Sequence, residues 1–155
     1  MEIRRAGADD LPALHRLLRQ VLRVHHEGRP DLFRADTEKF TDGQLREILR
    51  DETRPVFVAV RENAVCGYAF CMFQRHIADN ILTDVKTLYL DDLCVDEAVR
   101  GQHVGRALYD YVRTFAKQSG CYNLTLNVWA CNEDALRFYG KRGLKPQKIG
   151  METIL

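Results

Sequence analysis

The chain has 155 residues, the size of one ordinary domain, so residues 1–155 are predicted to form a single domain. Its 23 lysines and arginines nearly balance its 22 aspartates and glutamates. The resulting formal charge of +1 argues against broad binding of nucleic acid or of anionic membranes. A hydrophobic fraction of 46% with 29% charged residues is ordinary for a globular domain and argues against extended disorder.

Neither a signal segment nor a membrane span is predicted. Residues 1–5 carry charge where a signal peptide would begin, and no window approaches about 18 uninterrupted apolar residues. The five cysteines are odd in number, include no C-x-x-C pair and show no zinc-finger spacing with histidine. We therefore expect a cytoplasmic protein with reduced thiols and with neither a metal site nor a membrane partner.

A short strand and two helices are predicted in the first third of the chain. Ile3 begins the strand, and the aspartates at 9–10 cap a helix whose leucines recur at helical spacing. Residues 28–31 contain a glycine and a proline and end this helix. A second helix begins near Thr41, because Thr41 and Gln44 stand in capping-box register.

The middle of the chain predicts three strands and a helix. The apolar run 56–60, a turn at 62–63 and the run 65–73 are typical of a hairpin. Residues 87–95 predict a further buried strand, and residues 104–117 predict an amphipathic helix.

The last third predicts a strand over 122–129, a helix capped by Asn132 and a final strand over 149–155. The element order is therefore β-α-α-β-β-β-α-β-α-β. This order predicts a mixed α/β fold of the α+β layered kind, in which an antiparallel meander precedes a right-handed parallel strand-helix-strand unit.

One segment carries a clear chemical signal, namely Arg100-Gly101-Gln102-His103-Val104-Gly105-Arg106-Ala107. It follows a strand and opens a helix, where main-chain N–H groups lack partners and favour an anion together with the helix dipole. Its glycines allow the main chain to approach a pyrophosphate closely. Taken alone, the segment is equally consistent with a tight turn and a helix cap, and it matches neither a Walker loop nor a dinucleotide fingerprint.

A second motif lies one strand further on and comprises an asparagine, a Phe-Tyr pair and a Gly-Leu pair: Asn132, Phe138, Tyr139, Gly143 and Leu144. Together the two motifs resemble the signatures of the GNAT superfamily of acyl-CoA-dependent N-acetyltransferases. The strand at 90–95 also looks like the fourth strand of that family. The resemblance in element order extends from Ile3 to Leu155.

This resemblance implies a GNAT-like mixed sheet in which two adjacent parallel strands, 90–95 and 124–129, splay apart. It also implies acetyl-CoA as the cosubstrate, without a metal. The implied cofactor-binding residues are Leu93, Cys94, Val95, Arg100, Gly101, Gln102, His103, Val104, Gly105, Arg106 and Asn132. The N–H groups near Leu93 and Val95 would hold the pantetheine arm and polarise the thioester carbonyl, and the loop amides would hold the pyrophosphate.

The resemblance also points to the groups that move protons. Tyr139 is the candidate general acid, because a phenol with a pKa of about 10 stays protonated at neutral pH and can protonate a thiolate. The alternative is a core aromatic, since Ala135, Phe138 and Tyr139 share a helical face. Asp91 or Asp92 is the candidate base or the binding group for a cationic acceptor, and a salt bridge is the structural alternative. Strand alternation predicts that these two side chains face opposite sides of the sheet, with Asp92 favoured for the cavity.

Three further features bear on the site. His103 departs from the family pattern, since it stands where the first motif glycine usually lies, and it either tolerates or contacts the pyrophosphate. Cys94 and Cys131 allow a ping-pong acetyl-cysteine, but buried cysteines usually serve as small hydrophobes. In the family, the region at 25–33 usually lines the acceptor pocket, and Trp129 either packs on the acceptor or closes the core.

The functional hypothesis is transfer of an acetyl group from acetyl-CoA to a primary amine by direct attack in a ternary complex. The acceptor is expected to be a small-molecule amine or polyamine, and the alternative is a protein N-terminus or lysine. An alternative of another class is a non-catalytic acyl-CoA-binding module on the same fold, because a fold alone does not establish activity. A homodimer is expected by family analogy.

Overall fold

A five-stranded mixed sheet with helices on both faces organises the chain. The computed structural model describes all 155 residues. The elements in chain order are β1 (Glu2–Arg5), α1 (Leu11–Gly28), α2 (Asp42–Arg50), β2 (Val56–Arg61), β3 (Ala64–Gln74), β4 (Thr87–Val95), α3 (Val104–Gln118), β5 (Asn123–Thr125) and α4 (Glu133–Gly140), with short 3₁₀ turns at Ala8–Asp10 and Glu97–Val99. None of these helices combines the length and apolarity that a membrane crossing requires.

The strands are arranged in the order β1-β2-β3-β4-β5, so sequence neighbours are also neighbours in the sheet. The first three pairings are antiparallel, and β4 pairs with β5 in parallel. The α3 helix connects these two parallel strands. The predicted mixed α/β fold, with its antiparallel meander followed by a parallel strand-helix-strand unit, is therefore confirmed.

Two local signals in the sequence produce the expected geometry. At the β2–β3 turn, Glu62 and Asn63 have φ angles of 51° and 61°, as a tight hairpin turn with two left-handed residues requires. At the start of α2, the Gln44 N–H donates to Thr41 Oγ1 at 3.2 Å and the Thr41 N–H donates to Gln44 Oε1 at 2.8 Å. The predicted capping box is confirmed, and it fixes where the segment between α1 and α2 ends.

The sheet buries a separate hydrophobic core on each face. The core under α1 and α2 includes Leu14, Leu17, Leu18, Leu45, Ile48, Val56, Val58, Tyr68, Phe70 and Cys94. The core under α3 includes Phe57, Ala59, Ala69, Cys71, Leu88, Leu90, Val104, Leu108 and Val112. The alternating residues of β2 and β3 divide between the two cores, as the period of a strand dictates.

Gly67 in β3 allows α3 to lie directly on the sheet. A Cβ at this position would stand 2.8 Å from the carbonyl oxygen of Cys94 and 2.9 Å from Leu108 Cδ1. These distances are shorter than any van der Waals contact, so only glycine permits this packing.

A β-bulge in β4 changes which face the end of that strand presents. Phe70 is opposite Asp92 whereas Cys71 is opposite Leu90, so Asp91 is an extra residue without a partner in β3. Before the bulge, Leu90 packs in the core under α3; after it, Cys94 packs in the core under α1 and α2. The bulge therefore interrupts the alternation on which the opposite-face prediction for the two aspartates depended.

The C-terminal end differs from the prediction in two ways. The predicted strand 122–129 is regular only over Asn123–Thr125. The predicted final strand over 149–155 is wrong, because these residues form no regular structure, and Ile149 and Ile154 remain 80% and 74% exposed. A strand that buries none of its side chains has no hydrophobic gain to offset the entropy of ordering it.

Candidate active site

A gap opens between β4 and β5 beyond their third pair. The two strands are paired as Thr87–Asn123, Leu88–Leu124 and Tyr89–Thr125, and residues 126–129 leave the sheet. Just past this fork, the side-chain amide of Asn127 donates to the Tyr89 hydroxyl at 3.1 Å. The strands therefore separate along the stretch for which the sequence analysis implies a splayed pair.

The edge of β4 that faces the gap carries main-chain donors. The Asp96 N–H donates to the carbonyl of Cys66 in β3 at 2.9 Å. Since N–H groups alternate between the two edges of an antiparallel strand, those of Val95 and Leu93 are directed to the opposite edge, toward the gap. Cys94 between them points its side chain into the core under α1 and α2.

The loop before α3 offers a group of main-chain donors. Five main-chain N–H groups of this loop donate to no acceptor within the protein, namely those of Gly101, His103, Val104, Gly105 and Arg106. The N–H of Gln102 alone in this stretch is bonded, to the Val99 carbonyl at 3.3 Å. These donors stand at the positive end of a 15-residue helix, so the loop has the chemistry of an anion site.

Two backbone features shape this loop. Gly101 and His103 both adopt left-handed conformations, with φ of 80° and 64°. A Cβ on Gly105 would lie 3.3 Å from Val95 Cγ2 and 3.5 Å from Phe138 Cε2, so a glycine here lets the first turn of α3 pack tightly against β4 and α4. His103 therefore takes a conformation that glycine adopts freely, and its side chain is exposed.

The polar side chains of the predicted cofactor set lie around the same loop. Arg100 is exposed, with Nε 3.4 Å from the carbonyl oxygen of Val95, and Gln102 accepts a hydrogen bond from Arg61. Arg106 pairs weakly with Asp110 one turn along α3, at 3.6 Å.

Asn132 caps the last helix. Its Oδ1 accepts from the Ala135 N–H at 3.1 Å, while its side-chain N–H₂ has no partner in the protein. The capping role and a ligand-binding role can therefore coexist.

Tyr139 lies on the inner face of α4. Its ring packs edge-on against Tyr109 and Phe138, with centroids 6.2 and 5.1 Å away. Burial raises the pKa of this phenol well above its ordinary value, and the charge of Asp92 adds to the effect, so the group stays protonated at neutral pH. The Tyr139 hydroxyl makes no hydrogen bond to the protein, but it retains some solvent accessibility.

The two aspartates of β4 converge on one cation. Lys39 Nζ lies 3.1 Å from Asp91 Oδ2 and 3.6 Å from Asp92 Oδ2. The expectation that the two carboxylates face opposite sides of the sheet is therefore wrong, because the bulge at Asp91 breaks the alternation. The Tyr68 hydroxyl also donates to Asp92 Oδ2 at 2.8 Å.

Burial and charge act against each other in this cluster. Burial raises the pKa of Asp92, while Lys39 and the hydrogen bond from Tyr68 lower it in part. Burial lowers the pKa of Lys39, but the charges of Asp92 and Asp91 outweigh it and raise that pKa overall. Burial and the charge of Asp92 raise the pKa of Tyr68 well above its ordinary value. Lys39 and Tyr68 are consequently protonated at neutral pH.

Aromatic side chains border this cluster. The rings of His25 and Phe33 lie 5.0 Å apart, and the Phe33 ring meets Trp129 edge-on at 5.1 Å. The end of α1 and the β5–α4 connection thus meet beside the gap. A Cβ on Gly28 would lie 2.7 Å from Cys131 Sγ, which shows how closely these segments approach.

The cysteines differ in their surroundings. Cys94 is buried, its thiol donates to the Leu17 carbonyl at 3.6 Å, and burial raises its pKa to about 12. A thiol with this pKa is not ionised at neutral pH, so Cys94 acts here as a small apolar side chain. Cys131 is exposed.

Sequence reasoning missed two members of the cluster. Lys39 precedes the capping box of α2 in a polar segment without periodicity, and Tyr68 is one of several aromatic residues in a strand. Nothing in the local sequence connects either residue to Asp92. The acidic pair was the only signal that a counter-charge had to lie nearby.

Comparison with known proteins agrees with this arrangement. The family model described as "Acetyltransferase (GNAT) family" matches residues 14–144. The chain is 27% identical over 145 residues to the peptidyl-lysine N-acetyltransferase YjaB of Salmonella typhimurium, covering 94% of the chain and 83% of that protein. It is 26% identical over 83 residues to a probable glucosamine 6-phosphate N-acetyltransferase of Drosophila melanogaster, covering 54% of the chain but only 35% of that protein.

Solved structures share the fold over the full length. The crystal structure of a tetramutant of the BH1408 protein from Bacillus halodurans superposes with a TM-score of 0.95 at 31% identity, and each chain covers 100% of the other. The CoA complex of the aminoglycoside N-acetyltransferase AAC(6')-Iy has a TM-score of 0.72 at 16% identity, covering 99% of this chain and 98% of that one. The second likeness concerns the fold alone.

Proposed function

Because the chain belongs to the acetyltransferase (GNAT) family and is thereby an acyltransferase, we propose that it transfers an acetyl group from acetyl-CoA to a primary amine by direct attack in a ternary complex. One observation carries this proposal. The unpaired N–H groups at the start of α3 and those of Leu93 and Val95 form two sets of main-chain donors on adjoining segments. Their order along β4 and its loop suits a thioester followed by a pyrophosphate.

Acetyl-CoA fits these donors by charge and by shape. The five free amides of the loop and the dipole of α3 suit the pyrophosphate, and Arg100 and Arg106 add positive charge beside it. The gap-facing donors of β4 suit the amide-containing pantetheine arm, which can pair with the free strand edge as another strand would. The free side-chain N–H₂ of Asn132 is a further donor at the far side of the gap.

Catalysis would use donors that are already in place. The Leu93 and Val95 N–H groups would stabilise the negative charge that develops on the thioester oxygen. Tyr139 would protonate the departing thiolate of coenzyme A, since its own pKa is raised and the phenol keeps its proton until then. Cys94 is buried and not ionised, which favours direct attack over an acetyl-cysteine on this residue.

The acidic pair would bind the acceptor amine. Asp91 and Asp92 share one lysine, so the three side chains together keep one negative charge when both carboxylates are ionised. Asp92 Oδ1 has no partner in the protein and is not sealed off. It can therefore accept a hydrogen bond from a bound ammonium or amine.

We propose a small-molecule primary amine or polyamine as the acceptor, and a lysine side chain as the second candidate. The negative charge that remains beside Asp92 supports a cationic amine in either case. The likeness to a peptidyl-lysine N-acetyltransferase over 94% of the chain favours the second candidate.

The test is binding followed by turnover. Acetyl-CoA should bind in calorimetry, and pantetheine, which has no pyrophosphate, should bind at least tenfold more weakly if the loop amides contribute as expected. Coenzyme A release should then be measured with spermidine, glucosamine 6-phosphate and an N-terminally blocked lysine peptide, with the mass shift of each acceptor recorded. No heat with acetyl-CoA, or binding without turnover on a wide panel of amines, would contradict the proposal.

We also propose that the protein is a cytoplasmic homodimer. Support for the dimer comes from the tail, in which Ile149, Met151, Ile154 and Leu155 are all exposed and together offer apolar surface for a second copy. Light scattering at micromolar concentration should give twice the monomer mass, and a chain truncated after residue 148 should be monomeric. A monomer for the full chain would contradict this proposal.

A further inference from the structure

His25 belongs to the aromatic contacts that border the gap, and both of its ring nitrogens are free. It is half-buried near the end of α1, and its ring packs 5.0 Å from Phe33. Neither nitrogen has a hydrogen-bond partner in the protein, and neither is sealed off. By contrast, His15 bonds to Asp42 at 2.6 Å, and His26 bonds to the Phe33 carbonyl at 2.7 Å.

Two sets of contacts fix the position of His25. Its own helix ends against the β5–α4 connection, where Gly28 meets Cys131. Phe33 holds one side of the ring and is itself held by Trp129. The charge of Asp92 also acts on this imidazole and raises its pKa in part.

The carboxylates themselves are poorly suited to accept a proton from an amine. Asp91 is ion-paired with Lys39, and Asp92 accepts from Tyr68 and lies beside Lys39. These contacts occupy the carboxylates, and Lys39 and Tyr68 offset part of the rise that burial causes in the pKa of Asp92.

We propose that His25 is the general base that takes the proton from the attacking amine, while Asp91 and Asp92 hold that amine in place. The inference rests on the proposed acetyl transfer and adds to it the identity of the proton acceptor. Among the groups around the gap, Lys39, Tyr68 and Tyr139 all carry their protons at neutral pH, which leaves His25 as the free neutral base.

The charged groups that act on His25 come from two elements packed near it. Burial lowers the pKa of His25; Asp92 of β4 raises it, and Lys39 of the α1–α2 segment lowers it again. The net direction is downward, so the imidazole is neutral at pH 7 and can accept a proton. Protonation on acidification would remove this base.

The bound ammonium first releases one proton to solvent, and the resulting neutral amine attacks the thioester carbonyl carbon, so that a C–N bond forms while the carbonyl oxygen becomes negative. The nitrogen grows acidic as it attacks and gives one proton to the free imidazole nitrogen of His25. When the tetrahedral intermediate collapses, the C–S bond breaks and the sulfur takes a proton from Tyr139. The imidazolium loses its proton and the phenolate regains one through solvent, so an amide and a free thiol are produced.

The experiment compares the pH dependence of kcat in the wild type and in His25→Gln, with acetyl-CoA and whichever of spermidine or the lysine peptide the wild type acetylates. At saturating amine, wild-type kcat should rise through an inflection below about pH 6.5. His25→Gln should lose this inflection and about 100-fold in kcat, with KM for acetyl-CoA nearly unchanged. Exogenous imidazole should restore part of the activity of His25→Ala.

Two controls separate proton transfer from packing. Phe33→Leu removes the ring that supports His25 but keeps the imidazole, so its inflection should persist even if KM for the amine rises. His76→Gln, in the loop between β3 and β4, should behave as the wild type.

Three results would overturn the inference while leaving the acetyl transfer intact. These are a His25→Gln enzyme with normal kcat and inflection, a Phe33→Leu enzyme that reproduces the His25→Gln defect, and a wild-type kcat that shows no inflection below about pH 6.5. The last result needs no variant and decides the matter even if the variants fail to fold. Absence of turnover in the wild type would instead overturn the proposed function itself.

Discussion

Replacement of Lys39 by methionine tests the electrostatic arrangement on which the acceptor site depends. The side chain of Asp92 is only 10% exposed and that of Lys39 is 38% exposed, with the charged atoms 3.6 Å apart. Loss of one partner from a fully buried ion pair costs about 3–5 kcal/mol, and loss of an exposed pair costs about 0–1 kcal/mol. Because Lys39 is partly solvated and Tyr68 still bonds to Asp92, we expect a loss of about 1–2 kcal/mol at pH 7.

The loss of unfolding free energy in Lys39→Met should grow as the pH rises. The pKa of Asp92 is already raised in the folded protein, so its carboxyl favours the fold when protonated, and this stability is lost as the pH rises through the folded pKa. Without Lys39 that pKa rises further, and the variant should therefore fall below the wild type mainly above about pH 4. At lower pH, where the carboxyl of Asp92 is protonated in both proteins, the two should be nearly equal.

Urea unfolding at pH 4 and pH 7 measures both effects. Asn at position 92 has nearly the shape of the aspartate and can still accept the hydrogen bond from Tyr68, but it carries no charge. In the Asp92→Asn background, Lys39→Met should therefore lower the unfolding free energy clearly less. Arg75→Met, which removes an exposed pair with Asp84, serves as the control and should have little effect at either pH. Two results would contradict this prediction: an equal loss of stability at pH 4 and pH 7, or a Lys39→Met/Asp92→Asn double variant no more stable than the sum of the two single losses predicts.

Three further substitutions test the other parts of the structure. Tyr139→Phe should lower kcat about 100-fold with KM for acetyl-CoA nearly unchanged, because the proton reaches sulfur only in the transition state; an unchanged kcat would remove the acid role. Gly67→Ala should cost about 1–3 kcal/mol in urea unfolding, because its Cβ would meet the Cys94 carbonyl at 2.8 Å and Leu108 at 2.9 Å, and a wild-type midpoint would show that α3 can shift. His103→Gly should keep its affinity for acetyl-CoA in calorimetry, because the main-chain donors remain, and a tenfold loss would show instead that the imidazole contacts the phosphates.

Most elements were predictable from the sequence because their signals are local. The capping box at Thr41, the hairpin turn at Glu62 and Asn63, and the asparagine cap of α4 each depend on residues within one turn of each other. The loop between β4 and α3 was likewise predictable from its glycines and its place between a strand and a helix.

The wrong predictions share a physical cause. A pattern of apolar residues shows that a segment can form a strand, but not that the sheet offers a partner, so residues 149–155 remained outside it. Similarly, a bulge inserts one residue without changing the composition of its strand, and nothing at Asp91 marks it.

The surroundings of the acidic pair depend on contacts between distant segments. Lys39 is 52 residues from Asp91, and Tyr68 is 24 residues from Asp92. The region that contains His25 was assigned to the acceptor side by resemblance, but its free ring nitrogens are a property of the packed structure. Such groups become visible only when the chain has folded and each polar atom can be assigned its partners.

The early end of β4–β5 pairing has a consequence for the energetics of recognition. Since no main-chain pairing joins the two segments past Tyr89, a ligand that enters between them breaks no strand pairing. The gap is already present in the folded protein, so binding does not have to separate the two strands. Contacts with the edges of the gap therefore contribute to affinity without that energetic cost. Conversely, only three residue pairs join β5 to β4. A ligand bound between these strands would contact both segments and so stabilise their association.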